Sequence, residues 1–132
     1  MPALLWHPSE VEQVRLDSIT AYSLESGLSN IAPPIALNAT VLGWGGTIAS
    51  MDFILTANLF HLISAAEVSV LLAEAANALV GTGLICIYRP FKRDGEPTSA
   101  GDAQFDANLR TSDPEVGYMN DAWIKSEGKK QI

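Results

Sequence analysis

Cysteine is nearly absent from this sequence: Cys86 stands alone, which excludes an intrachain disulfide and favours a reducing compartment. Histidine is almost as scarce. His7 and His61 lie far from each other and from Cys86, without the ligand spacing of a zinc site, and no metal is expected. Long hydrophobic runs are missing too. Segments such as residues 31–37 and 68–72 fall well short of the ~20 residues that a bilayer-crossing helix needs. No basic start leads into an apolar stretch and a small-residue cleavage site, so the chain is expected to be cytoplasmic, with no membrane partner. Positive charge is the last shortage. Lys and Arg number 8 against 15 Asp and Glu, and the net charge of −7 works against nucleic acid as the main partner, because phosphate binding is cation-driven. Even so, three of the 8 basic residues, Arg89, Lys92 and Arg93, crowd into one short stretch.

What the sequence does have is apolar content. Of its 132 residues 48% are hydrophobic and 17% charged, enough for one globular domain over residues 1–124, followed by a polar tail over residues 125–132 that reads as frayed. Residues 3–6 read as extended and are closed by Pro8. Ser9 and Glu12 have capping-box spacing ahead of a helix over residues 11–26, which Gly27 ends and which buries Val11, Val14, Ile19 and Tyr22. Pro33 and Pro34 lead into a short strand at residues 35–37. The glycine-rich Leu42-Gly43-Trp44-Gly45-Gly46 lacks the GxGxxG spacing of a phosphate cradle and is read as a flexible loop anchored by Trp44. Residues 53–57 and 84–88 are strands buried on both faces. Between them Ser64 and Glu67 make a second capping box for a helix whose apolar face is Val68, Leu71, Leu72, Ala75 and Leu79, ended by Gly81 and Gly83. A loop at residues 89–100, a short helix at 102–110, a turn at Asp113-Pro114 and a last helix capped by Asn120 complete the chain. The alternation of strands and helices predicts an α/β fold, a mainly parallel sheet with flanking helices.

Four stretches carry a resemblance. They are Trp6-His7-Pro8-Ser9-Glu10, Asp52-Phe53-Ile54-Leu55-Thr56-Ala57-Asn58-Leu59-Phe60-His61, Tyr88-Arg89-Pro90-Phe91-Lys92-Arg93-Asp94-Gly95, and Phe105-Asp106-Ala107-Asn108-Leu109-Arg110 with Asp113-Pro114-Glu115-Val116-Gly117. In this order they resemble the methyltransferase-like family DUF938, relatives of methyltransferase-like protein 26. The resemblance implies a class I S-adenosylmethionine-dependent methyltransferase fold, Rossmann-like, with the cofactor at the carboxyl ends of parallel strands. It also implies truncation, since nothing matches the family's first strand and glycine-rich turn. Glu10 matches the acidic residue that holds the cofactor ribose; alternatively it is a charge placed near the first turn of the following helix. Asn38 stands where the family tends to have an aspartate near adenine. Asn58 and His61 follow the strand whose end gathers reacting groups. His61 is either a proton-transfer group or a hydrogen-bonded structural histidine. Tyr88, Arg89, Lys92 and Arg93 form a substrate rim, Arg89 replacing a glycine usual in the family. The three cations would recognise a carboxylate or phosphate, or else pair on the surface with Asp94, Glu96 and Asp102.

With the first strand lacking, the segments near Leu4 and Phe53 are expected to pair directly, giving the strand order Ile35, Leu4, Phe53, Leu84. No cofactor is expected on the isolated chain, S-adenosylmethionine being implied by the resemblance alone. A homodimer is expected to cover the apolar strand residues Phe53, Leu55, Ile85 and Ile87, or their neighbours on the opposite face, with Trp6, Trp44 or Trp123 as anchors. The reading is a non-catalytic, self-associating methyltransferase-like domain. Its alternatives are an S-adenosylmethionine-dependent methyltransferase of a small molecule, completed by another subunit or a missing segment, and a small-molecule binder.

Overall fold

Local sequence rules set most of the elements. The structure, a computed structural model, describes residues 4–131; Ala3 and Ile132, the ends of the expected first strand and tail, lie outside them. Two compact units divide between Asn38 and Ala39, where one domain over residues 1–124 was expected.

In the first unit, β1 (Ser9–Glu10) pairs in parallel with β2 (Ile35–Ala36), and a bridge from Trp6 to Ile31 extends the ladder. Helix α1 (Gln13–Ser26) lies between them in sequence and closes on Gly27, whose φ of 65° is the left-handed value that a residue without a Cβ adopts freely. The Ser9–Glu12 capping box does not form: Ser9 is in β1, and Glu12 takes the cap position without a side-chain bond. Only Leu16 of α1 is buried, while Val14 and Tyr22 are 78% and 71% exposed. A two-residue ladder is too narrow to cover a four-turn amphipathic face.

In the second unit, a four-residue helix α2 (Trp44–Thr47) precedes β3 (Met51–Ala57), and β3 pairs in parallel with β4 (Leu79–Tyr88). Helix α3 (Ala65–Ala78) makes the crossover. Its capping box is complete, with Glu67 N donating to Ser64 Oγ at 3.2 Å and Ser64 N to Glu67 Oε2 at 2.7 Å. Val68, Leu71, Leu72 and Ala75 face inward as their spacing requires, with Phe60, Ile63 and Ile124 in the same core. The chain passes from α3 into β4 at Leu79. Gly81 and Gly83 therefore lie inside the strand, in a bulge where the register jumps between the pairs Met51–Leu79 and Phe53–Leu84. Helix α4 (Ala100–Ser112) is capped by Ser99, and α5 (Asp121–Lys129) by Asn120. The tail expected to fray from Lys125 is helical to Lys129, because Ile124 and Glu127 are buried and tie it down.

Within each unit the strand partners are as expected, β1 with β2 and β3 with β4. The described strands form two two-stranded sheets, one within each unit. The burial on both faces expected of β3 and β4 fails, because the core covers one face only. Ile54, Thr56, Ile85 and Ile87 are half-buried, Ile85 and Ile87 packing against the core. The alternate positions Phe53, Leu55, Leu84, Cys86 and Tyr88 are all exposed.

Candidate functional site

The carboxyl ends of β3 and β4 end in register, Ala57 opposite Tyr88. Asn58 follows with φ of 55°, a left-handed conformation that asparagine tolerates, and its amide donates to the Tyr88 carbonyl at 2.8 Å. This turn leads into a single 3-10 turn (Phe60–Leu62), which buries Phe60 fully and His61 to 7% exposure. On the neighbouring strand Arg89 follows Tyr88 and is also 7% exposed, whereas Tyr88 is open to solvent.

Around these two residues the helical part of the unit builds an aromatic and ionic cluster. The rings of His61, Phe105 and Tyr118 meet edge to face, with centroids 5.9–6.0 Å apart. The Arg89 guanidinium lies 4.6 Å from the Phe91 ring centre and 6.0 Å from that of Tyr118. Behind the rings, buried Asp106 accepts from the Tyr118 amide at 2.6 Å and from Arg110 Nε at 3.1 Å, and pairs with Lys92 Nζ at 2.7 Å. Arg110 also reaches the Tyr118 carbonyl at 2.9 Å, and the Tyr118 hydroxyl donates to Asp102 at 3.2 Å. Gly117 is required here: its φ is 137°, and a Cβ would stand 2.6 Å from Asp106 Oδ1. Backbone bonds between Lys92 and the Met119–Asp121 segment close the cluster.

Burial lowers the His61 pKa, with Arg89 adding to the effect, so the imidazole is held neutral. Its Nδ1 is buried without a hydrogen-bond partner among the described residues. Burial likewise pushes Arg89 down to about 10, partly offset by Tyr118 and Asp106, which leaves it charged at neutral pH. Its Nε donates to the Pro90 carbonyl at 2.6 Å, while Nη1 and Nη2 find no partner among the described residues. For Asp106 burial acts upward, but hydrogen bonds from Lys92, the Tyr118 amide and Arg110 outweigh it and hold the carboxyl below its ordinary range.

The expected site residues fall in both units. Asn58, His61, Tyr88, Arg89, Lys92 and Arg93 all belong to the second unit, and its carboxyl-end turn and cluster gather His61, Arg89 and Lys92. Lys92 pairs with Asp106 rather than with Asp94, Glu96 or Asp102. Arg93 is exposed and exchanges backbone bonds with Glu96 across a tight turn, where Asp94 and Gly95 both have positive φ. Glu10 and Asn38 belong to the first unit. Glu10 Oε1 accepts from the amides of Val11 at 2.7 Å and Glu12 at 3.3 Å at the start of α1, and Oε2 lies 4.0 Å from Arg15. Asn38 is exposed just after β2. The glycine-rich segment is not a free loop either. Gly45 N donates to Glu74 Oε2 at 2.7 Å inside the α2–α3 contact, and Trp44 Nε1 donates to the Ala39 carbonyl. Sequence reasoning missed Asp106, Arg110 and Tyr118 as site-building residues. The Asp106–Arg110 spacing of four on a helix was the available signal.

Among the described residues no three His, Cys, Asp or Glu gather as metal ligands, and no helix is long and apolar enough to cross a membrane. Residues 1–132 match the family model described as protein of unknown function, DUF938. The fold is similar to that of the YcgJ protein of Bacillus subtilis, with a TM-score of 0.71 and 16% identity over 93% of this chain and 50% of that one. It is also similar to an O-methyltransferase family protein from Burkholderia thailandensis, with a TM-score of 0.66 and 16% identity over 87% of this chain and 33% of the other. The chain therefore spans half and a third of the lengths of these two proteins.

Proposed function

The chain belongs to the DUF938 family, and from that premise we propose that it is a methyltransferase-like domain that does not transfer methyl groups alone and associates with a second copy of itself. One observation carries the reading: the outer face of β3 and β4. Phe53, Leu55, Leu84, Cys86 and Tyr88 point the same way by register, and Phe53, Leu55 and Leu84 are 41%, 47% and 67% exposed. Small monomers seldom expose more than ~300–600 Å² of contiguous apolar surface, and a two-fold dimer is the commonest closed remedy. Of the three tryptophans, Trp6 is the exposed candidate anchor, while Trp44 and Trp123 are half-buried.

The resemblance to methyltransferases implies S-adenosylmethionine as cofactor, and the described residues do not fit it well. Its sulfonium and methionine end needs backbone amides at a glycine turn. The Leu42–Gly46 segment commits the Gly45 amide to Glu74 instead, and one oxygen of Glu10 is already held by the start of α1. A second reading, a small-molecule methyltransferase completed by another subunit or further chain, is favoured by the placement of Asn58, His61 and Arg89 at the carboxyl ends of β3 and β4.

Light scattering during size exclusion at micromolar concentration tests the association. A dimer is expected, and Leu55→Asp with Leu84→Asp should give a folded monomer. A wild-type monomer that binds no hydrophobic dye defeats the proposal.

A further inference from the structure

Arg89 is a charged side chain at 7% exposure whose two terminal nitrogens have no hydrogen-bond partner among the described residues. Such a group is costly, because a buried guanidinium gives up its hydration. The rings of Phe91 and Tyr118 beside it supply quadrupole attraction but accept no hydrogen bonds in the guanidinium plane. Nor is the charge balanced locally. Asp106 is shared among Lys92, Arg110 and the Tyr118 amide, and Asp102 holds the Tyr118 hydroxyl together with Thr98 and Ser99. Three cations, Arg89, Lys92 and Arg110, thus stand against two carboxylates, within a chain whose overall charge is −7.

A third unpartnered nitrogen belongs to the same cluster. His61, also at 7% exposure, has Nδ1 buried and unpaired, and its ring stands 6.0 Å from the same Tyr118 ring that Arg89 approaches to 6.0 Å. The geometry points to a binding site for a small carboxylate at the carboxyl end of β4, held by Nη1 and Nη2 of Arg89, with His61 Nδ1 as the neighbouring polar contact. The fork explains the choice of anion. Nε is engaged by the Pro90 carbonyl, so the edge without a partner is the buried pair of terminal nitrogens, whose two parallel donors match the two oxygens of a carboxylate. The aromatic walls suit a ligand with an apolar body. Phe105, 45% exposed and edge-on to both His61 and Tyr118, is the most exposed ring of the cluster, so ligand would enter past it. The site lies within the second unit and stands independently of self-association.

The test uses the full chain with sodium acetate and sodium benzoate as probes, exchanged for chloride at constant ionic strength. Melting temperature and the His61 ring resonances are followed together. Both probes should raise the melting temperature saturably, and the His61 titration midpoint should move up as a carboxylate offsets the nearby guanidinium. Arg89→Met keeps the bulk and removes the charge, so it should fold and lose at least tenfold in apparent affinity; Arg89→Lys, which lacks the fork, should lose a similar amount. No saturable effect beyond chloride overturns the site, as does an acetate response that survives in Arg89→Met. Inorganic phosphate binding more tightly than either carboxylate overturns the choice of ligand class.

Discussion

Asp106 shows how much a single side chain can organise. It satisfies a buried amide and two cations drawn from three parts of the second unit. Asp106→Ala should therefore destabilise the chain by about 2–3 kcal/mol in urea unfolding. That lies below the ~3–5 kcal/mol for breaking a fully buried pair, because Lys92 and Arg110 still reach water. His61 makes a prediction about pH. Its folded pKa lies below the ordinary 6.5, so the folded state binds fewer protons there than the unfolded state. Its contribution is then fully present above about pH 6.5 and is lost as the pH falls through that value, with a slope of at most ~1.4 kcal/mol per pH unit. The groups facing the ring from packed elements are Arg89, Phe105 and Tyr118, with Asp102 and Asp106 behind Tyr118, and both carboxyls titrate only well below this window. Denaturation midpoints of the wild type should fall between pH 7 and 5.5, and His61→Gln should flatten that slope. An equal slope in the variant would assign the effect elsewhere.

At the scale of elements, the contact of α2 with α3 depends on one missing methyl group. A Cβ at Gly45 would press into the backbone carbonyl of Glu74 and stand 2.8 Å from the Asn77 Cβ, neither of which can move freely within α3. Gly45→Ala should cost about 2 kcal/mol or more and loosen α2, visible as faster amide exchange at Ile48, whose amide donates to the Trp44 carbonyl. Gly46, with no atom within 4 Å of its virtual Cβ, is the matched control and should tolerate alanine. The capping box of α3 gives a milder case: Ser64→Ala should lower stability by ~1 kcal/mol, because it removes the acceptor of the Glu67 amide.

For the whole molecule, the proposal of a domain inactive alone makes a prediction about S-adenosylmethionine. Weak or no binding of S-adenosylmethionine is expected, since the glycine-rich segment is committed to packing. A ligand at a hundred times its dissociation constant stabilises a fold by ~2.7 kcal/mol, an unmistakable shift in melting temperature. Absence of that shift at millimolar S-adenosylmethionine agrees with the proposal. Micromolar binding would contradict it, and loss of that binding in Glu10→Ala would then give Glu10 the ribose role.

What the sequence determined by itself was local. The period of Val68, Leu71, Leu72 and Ala75, the Ser64–Glu67 box, Gly27 as a left-handed stop and the Asn120 cap each depend on residues within a turn or two, and each formed as read. The four quoted stretches also identified the family. Capping spacing at Ser9 and Glu12 failed because Ser9 pairs with Ile35 across a ladder, which spacing alone does not reveal. Tertiary structure decided which face of β3 and β4 is covered, since alternation gives two faces but not the element that lies over each. It also decided the partner of Lys92. Nearby Asp94, Glu96 and Asp102 competed with Asp106, and the winner was set by the packing of α4 against the segment that follows β4. The unpaired edge of Arg89 arises the same way: burial, the property that makes a charge consequential, belongs to the folded whole.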